Sequence, residues 1–175
     1  TDRMLLYMFA AWKHERITRD GLLRMLADLE SYLFRRMVCS VSSNGLNKLV
    51  PSLIAKLESA EDDPAETFAA LLLTETAKAT RMPTDKEFRQ ALLGENLYRP
   101  ASRCKYLLAG LENHNHPKDP RSFDEYTVEH IMPQNAMAHA KWRDMLSDPG
   151  RFPLLVNSLG NLTLTAYNSE LSDGT

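Results

Sequence analysis

The sequence predicts a mainly α-helical protein, in which an N-terminal array of helices precedes a small α+β region near the C-terminal end. Through residues 1–99, apolar side chains recur at three- and four-residue spacing, as they do along one face of a helix. Residues 162–165 instead alternate leucine and threonine, which is typical of a half-buried strand. Earlier in the chain, the β-forming residues 126–128 predict another strand, which must end before Pro133 because proline has no amide hydrogen to donate.

The first three helices are predicted from their apolar positions and from the residues that start and stop them. A nearly continuous apolar run over 4–12 indicates a buried helix. The stretch from Thr18 to Asp20 supplies N-cap chemistry for the second helix, whose apolar stripe extends over 22–37 and ends at the polar stretch 42–45. A third helix follows, and we expect Pro51 to kink it or to shift its start.

Three further helices are predicted before the strands. The acidic loop 59–64 can cap an alanine-rich helix over 65–79, since carboxylates stabilise a helix N-terminus. A short helix over 86–93 ends at a glycine, and a longer one over 101–113 begins after a proline. The polar stretch that follows, with two prolines, is expected to be an exposed linker.

We place the domain boundary near Arg99, so that residues 1–99 form a helical domain and residues 100–175 form the second domain. Apolar runs in the chain are far shorter than the roughly 20 residues that a bilayer requires, and no secretory signal is present. We therefore expect a cytoplasmic protein that does not enter a membrane.

The charge of the chain excludes a strongly basic nucleic-acid-binding domain. The formal net charge is −2, and residues 99–175 carry nearly equal numbers of basic and acidic side chains. Any affinity for nucleic acid must then come from a local patch, from a bound metal ion or from further protein. Cys104 with His114 and His116 could be read as zinc ligands, but their spacing matches no structural zinc pattern.

The candidate chemistry lies in the two predicted strands and the residues beside them. A carboxylate and an imidazole end the first strand, one carboxamide begins the second, and another lies just beyond it: Glu129, His130, Asn161 and Asn168. An imidazole can accept a proton near neutral pH, and carboxylate and amide oxygens are ligands for hard divalent cations. This combination suits metal-assisted attack on a phosphodiester.

The same segments carry a family resemblance. The run Glu-His-Ile-Met-Pro-Gln at 129–134, then Trp142, then Leu-Gly-Asn-Leu-Thr-Leu-Thr-Ala-Tyr-Asn at 159–168 resemble the C-terminal HNH-type domain of GmrSD-like restriction endonucleases. Residues 31–38 and 85–92 resemble, more loosely, the helical region that precedes the nuclease in that family. The resemblance implies that the strands belong to a ββα-metal finger.

The resemblance also implies roles for individual residues. His130 would be the catalytic general base, and Asn161 would belong to the catalytic site by holding the loop that orients it. Glu129 and Asn168 would bind Mg²⁺ or Mn²⁺. The implied function is cleavage of foreign DNA, including modified DNA, in restriction and phage defence.

Two features of the family are expected to lie outside this sequence. The helix that closes such a finger would continue past Thr175, and no glycine-rich phosphate loop marks the nucleotide-hydrolysing domain that accompanies such nucleases at their N-terminal side. The alternative hypothesis is a non-catalytic helical interaction or DNA-binding module with a degenerate finger. The presence of His130 favours the enzyme.

Overall fold

The computed structural model describes residues 2–94 and 96–167, which form eight α-helices and one antiparallel pair of β-strands. The predicted fold class, a helical array with a small α+β region near the C-terminal end, is confirmed. The chain divides into two compact units, Thr1–Phe88 and Arg89–Thr175. This division falls about ten residues earlier in the chain than the domain boundary predicted near Arg99. The boundary near Arg99 stays a prediction. Among the described residues, no helix has the length and apolar character needed to cross a membrane.

The first unit is built from four main helices. They are α1 (Asp2–Lys13), α2 (Arg19–Val38), α3 (Leu46–Ser59) and α4 (Pro64–Thr74). A short 3₁₀ helix precedes α3, and Pro51 lies inside α3. The apolar faces of these helices share one core, whose largest fully buried side chains are Met4, Met8, Met25, Tyr32, Phe68 and Leu72.

The helix starts in this unit follow the predicted caps. Thr18 Oγ1 accepts a hydrogen bond from the Gly21 amide at 3.0 Å, which satisfies one of the free donors at the start of α2. In the acidic loop, Asp63 Oδ1 accepts from the Ala65 amide at 2.7 Å and caps α4 in the same way. Each cap lies within the stretch that the sequence indicated, 18–20 for α2 and 59–64 for α4.

The predicted end of α4 is wrong by several residues. The helix ends at Thr74, because Glu75 adopts an extended backbone (φ −66°, ψ 118°). The Glu75 carboxylate then accepts hydrogen bonds from the Ala77 amide at 3.0 Å and the Thr80 hydroxyl at 2.9 Å. These local bonds offer the backbone an alternative to the helix, and alanine content did not reveal them.

The segment after α4 is held by a buried arginine of α2. The guanidinium of Arg36, 2% exposed, donates to the carbonyl oxygens of Ser42 (2.7 Å), Ala79 (2.8 Å) and Arg81 (3.2 Å). It also lies over the Tyr32 ring at 5.2 Å from the centroid. Arg36 is therefore a structural cross-link between α2 and two loops.

Two further contacts fix this region. A Cβ atom at Gly45 would lie 2.6 Å from the carbonyl oxygen of Ala79, so the backbone approach requires a residue without a side chain. At the start of α5 (Asp85–Gly94), the Glu87 carboxylate accepts hydrogen bonds from Arg81 Nη1 and from the amide and hydroxyl of Thr84. The hydrogen bonds from Arg81, and then those from Thr84, hold the pKa of the Glu87 carboxyl below its usual range.

The second unit places its two strands against a helix. After α5, the elements are α6 (Ala101–Asn115), β1 (Thr127–His130), α7 (Ala140–Met145), α8 (Phe152–Leu155) and β2 (Leu162–Thr165). The strands pair antiparallel, with His130 opposite Leu162 and Glu129 opposite Thr163. The helix α6 contacts both strands. Since successive side chains in a strand point to opposite faces, His130 shares a face with Leu162, and Glu129 lies on the other face with Thr163.

Candidate active site at the end of strand β1

His130 is the last residue of β1, and its half-buried ring lies close to Tyr98, Asn157 and Gln134. The Tyr98 ring meets it edge-on, with 4.5 Å between centroids and an interplanar angle of 61°. His130 Nε2 lies 3.0 Å from Asn157 Oδ1. The same nitrogen lies 3.4 Å from Gln134 Nε2. The other ring nitrogen, Nδ1, forms no hydrogen bond with any described residue.

The residues that contact this ring come from separate stretches of the chain. Tyr98 follows Leu97, whose amide donates to the carbonyl oxygen of Asn157 at 3.2 Å. One backbone hydrogen bond therefore joins the loop before α6 to the turn after α8. Each of these two segments contributes one side chain to the surroundings of His130.

Asn161 lies immediately before β2 and is almost fully buried, with 8% of its surface exposed. Its Oδ1 accepts from the Met132 amide at 2.7 Å. Its Nδ2 donates to the carbonyl oxygens of Met132 at 3.0 Å and Val156 at 2.8 Å. The carboxamide thus uses both of its donors and one acceptor position to tie the turn after β1 to the segment before β2.

The backbone of Asn161 adds to the same connection. Its carbonyl oxygen accepts from the Ile131 amide at 2.9 Å, directly after the strand end. No hydrogen bond joins the Asn161 side chain to the His130 ring; the bonds fix the backbone on which the ring is mounted. This is the contact pattern expected of a residue that holds the loop, and its effect on catalysis stays a prediction.

Glu129 lies on the opposite face of the strand pair and is half-buried. Its carboxylate forms no hydrogen bond or ion pair with any described residue. It is therefore a hard oxygen donor without a charged partner in the part of the chain that the structure describes, which fits a cation such as Mg²⁺ or Mn²⁺. The second predicted ligand, Asn168, lies outside the described residues.

The metal site predicted from the sequence would use few protein ligands. Among residues 2–94 and 96–167, no three His, Cys, Asp or Glu side chains are close enough to share an ion. Mg²⁺ commonly keeps several waters and takes further ligands from substrate phosphates, so one carboxylate and one amide oxygen are compatible with it. The assignments of Glu129 and Asn168 stay predictions.

The sequence did not predict that Tyr98, Gln134 and Asn157 would lie against the His130 ring. Gln134 and Asn157 stand within or beside the two recognised segments, four residues after His130 and four before Asn161. Carboxamides near the motif were a usable signal for both residues. Tyr98 had no such signal, because it precedes the motif by about thirty residues and meets the ring only through the fold.

Helices packed against a short antiparallel strand pair, with a half-buried histidine where the first strand ends, form a small α+β module. In a comparison with known protein families, residues 82–175, just over half of the chain, match the family described as GmrSD restriction endonucleases, C-terminal domain. The chain belongs to this family. No curated protein and no solved structure matches the chain significantly.

Proposed function

We propose that this chain carries a metal-dependent, HNH-type endonuclease domain that hydrolyses phosphodiester bonds in DNA. The family supplies the general class, that of restriction endonucleases. The proposal of a metal-dependent, HNH-type nuclease rests on the contacts of the His130 ring. Its ring is half-buried and bonded through Nε2, while Nδ1 has no partner among the described residues.

His130 is proposed as the general base. Water is a poor nucleophile at neutral pH, and an imidazole within hydrogen-bond reach can accept its proton as the water attacks phosphorus. A base must be held in place but must keep one nitrogen open to the water. The contacts of the ring with Tyr98 and Asn157 provide the first condition, and Nδ1, which has no partner among the described residues, provides the second.

Asn161 is proposed to keep this arrangement in register. The turn after β1 contains Pro133, so it cannot be fixed by an uninterrupted strand ladder. The hydrogen bonds from Asn161 to Met132 and Val156 fix it instead. The general base then stands on a backbone whose position is determined by a buried side chain.

Glu129 and Asn168 are the proposed ligands of Mg²⁺ or Mn²⁺. A divalent cation bound there would supply positive charge to the phosphate and to the leaving oxygen as negative charge develops. The Glu129 carboxylate has no competing cationic partner among the described residues, which leaves its charge available. The family is one of restriction endonucleases. We propose that the biological role is restriction of foreign and modified DNA, with a nucleotide-hydrolysing domain as partner.

The proposal is tested by cleavage of plasmid DNA with Mg²⁺ or Mn²⁺ present. His130→Ala should lower the cleavage rate by about two to four orders of magnitude, the usual contribution of a general base. His139→Ala is the matched control, because His139 is exposed and sits before α7 without a side-chain capping bond. A His130→Ala variant with wild-type activity would rule out this base.

A separate titration tests the cation. Mn²⁺ binding, measured by calorimetry, should tighten when a DNA duplex is added, because substrate phosphates complete the coordination of such ions. Glu129→Ala should abolish binding, while Glu125→Ala, an exposed carboxylate before β1, should leave it unchanged. DNA binding without cleavage by the wild-type protein would favour the alternative, a DNA-binding module with a degenerate finger.

A further inference from the structure

We propose that Asn157 is a positioning residue that selects which nitrogen of His130 acts. In this arrangement Nε2 carries the proton and donates it to Asn157 Oδ1, so that Nδ1 is the nitrogen that accepts the proton of the attacking water. The inference rests on the proposed role of His130 and adds a residue and an atom to it.

A ring nitrogen of His130 faces the side-chain oxygen of Asn157. The 3.0 Å separation of His130 Nε2 and Asn157 Oδ1 is an ordinary hydrogen-bond distance. A carboxamide oxygen can only accept, so the hydrogen must belong to the imidazole. A neutral imidazole has one such hydrogen, and placing it on Nε2 leaves the lone pair on Nδ1.

Gln134 is the competing partner, because its Nε2 lies 3.4 Å from the same ring nitrogen. If Gln134 donated to that nitrogen, the ring proton would have to sit on Nδ1, and the Asn157 oxygen would face a lone pair. The contact with Asn157 is shorter, and Gln134 is exposed to solvent, where water can replace it as a partner. The geometry therefore favours donation to Asn157, with the Gln134 amide a secondary neighbour.

Asn157 is itself held in place. Its carbonyl oxygen accepts a hydrogen bond from the Leu97 amide at 3.2 Å, and the side chain is half-buried. The next residue after Leu97 is Tyr98, whose ring meets His130 edge-on. The Tyr98 contact restricts rotation of the imidazole, and the hydrogen bond to Asn157 restricts its tautomer. Little reorganisation of the ring is therefore needed when the water arrives.

The tautomer is measured directly by NMR on the chain labelled with ¹⁵N-histidine, at a pH where the ring is neutral. The chain has five histidines, and the His130 signals are identified by their loss in His130→Gln. We expect the proton on Nε2, visible as a ring N–H that exchanges slowly with water. A proton on Nδ1 in the wild-type protein would overturn the inference.

Three variants separate Asn157 from its competitor. Asn157→Leu removes the acceptor, and Nε2–H exchange should become roughly tenfold faster, as expected for the loss of one hydrogen bond. Asn157→Asp keeps only acceptors and should retain the slow exchange. Gln134→Leu is the matched control and should leave the exchange rate of Nε2–H unchanged.

The contrary outcomes are equally definite. Faster Nε2–H exchange in Gln134→Leu with no change in Asn157→Leu would assign that proton to the Gln134 side chain, and fast exchange in the aspartate variant would show that an acceptor at position 157 does not retain the proton. Should the leucine variant fail to fold, the wild-type tautomer and the aspartate variant still decide the question.

Kinetics connect the tautomer to activity. Asn157→Leu should lower kcat for DNA cleavage about tenfold with KM unchanged, because it acts through the base and not on substrate binding. In a His130→Ala background the same substitution should have no further effect. Undiminished cleavage by His130→Ala would overturn the proposed function, whereas the NMR result tests Asn157 whether or not the chain cleaves DNA.

Discussion

Replacing Asn161 by alanine should destabilise the second unit by more than any replacement at the proposed base. The substitution removes three side-chain hydrogen bonds, of 2.7, 3.0 and 2.8 Å, whose partners are main-chain groups of Met132 and Val156. Both partner residues are buried, so water cannot readily replace the lost bonds. At about 0.5–1.5 kcal/mol for each bond, the expected loss is roughly 2–4 kcal/mol.

The assay is urea denaturation followed by tryptophan fluorescence. The chain has two tryptophans, and Trp12→Phe leaves Trp142 as the reporter of the second unit. Asn135→Ala is the matched control, because Asn135 is an exposed asparagine in the same turn, and it should change the unfolding free energy by less than about 0.5 kcal/mol. His130→Ala loses one hydrogen bond and a ring contact, and it should cost less than Asn161→Ala.

An aspartate at position 161 tests the direction of the bonds. It keeps an acceptor for the Met132 amide but sets an oxygen against the two carbonyl oxygens that Asn161 Nδ2 now serves. Asn161→Asp should therefore be at least as destabilising as Asn161→Ala at neutral pH. Wild-type stability in both variants, within about 0.5 kcal/mol, would refute the reasoning about this residue.

Three further predictions concern the stability of single positions, each read from thermal or urea unfolding. Gly45→Ala should destabilise the first unit, because its Cβ would lie 2.6 Å from a carbonyl oxygen. Gly110→Ala, in α6, should instead stabilise by about 0.5–1 kcal/mol, because its Cβ would have no described atom within 4 Å. Equal effects of the two substitutions would contradict the close contact at Gly45. Arg36→Met should cost about 2–4 kcal/mol, because it removes three hydrogen bonds that the buried guanidinium donates to carbonyl oxygens, and unchanged stability would contradict the cross-link. Glu87 has a lowered pKa in the folded protein, so its stabilising contribution is complete above the ordinary value of 4.5 and is lost as pH falls below it. Glu87→Gln should therefore reduce stability at neutral pH and flatten its decline in acid, and an unchanged acid limb would count against the Arg81 and Thr84 contacts.

The elements that sequence could predict are those set by local chemistry. Thr18 and Asp63 mark helix starts through bonds to amides two or three residues away, which any reader of the sequence can anticipate. The alternation of leucine and threonine in 162–165 likewise fixes which side chains share a face. These features depend on neighbours in the chain and not on the tertiary fold.

Long-range contacts defeated the same reasoning. Arg36 stands beside Arg35 in a pattern typical of a solvated helix face, yet it is buried, because carbonyl oxygens more than forty residues later in the chain replace water as its partners. Asn157 has no periodic signature, since a single turn residue acquires its partner only when the chain folds. The sequence singled out His130 and Asn161 as candidates, but not the side chains that lie against the His130 ring.

The strand geometry also changes how the pair Glu129 and His130 should be understood. Adjacent in sequence, the two suggest a carboxylate–imidazole pair acting together, but in β1 they point to opposite faces. Hydrolysis of a phosphodiester is an in-line displacement, in which the attacking water and the leaving oxygen lie on opposite sides of phosphorus. A base is needed on the side of the water, and a cation is most effective where it contacts the leaving oxygen. If His130 activates the water and Glu129 binds the cation, the water and the cation approach a phosphate at the strand end from opposite faces of the strand pair. Two side chains on one face would crowd the same side of the phosphate.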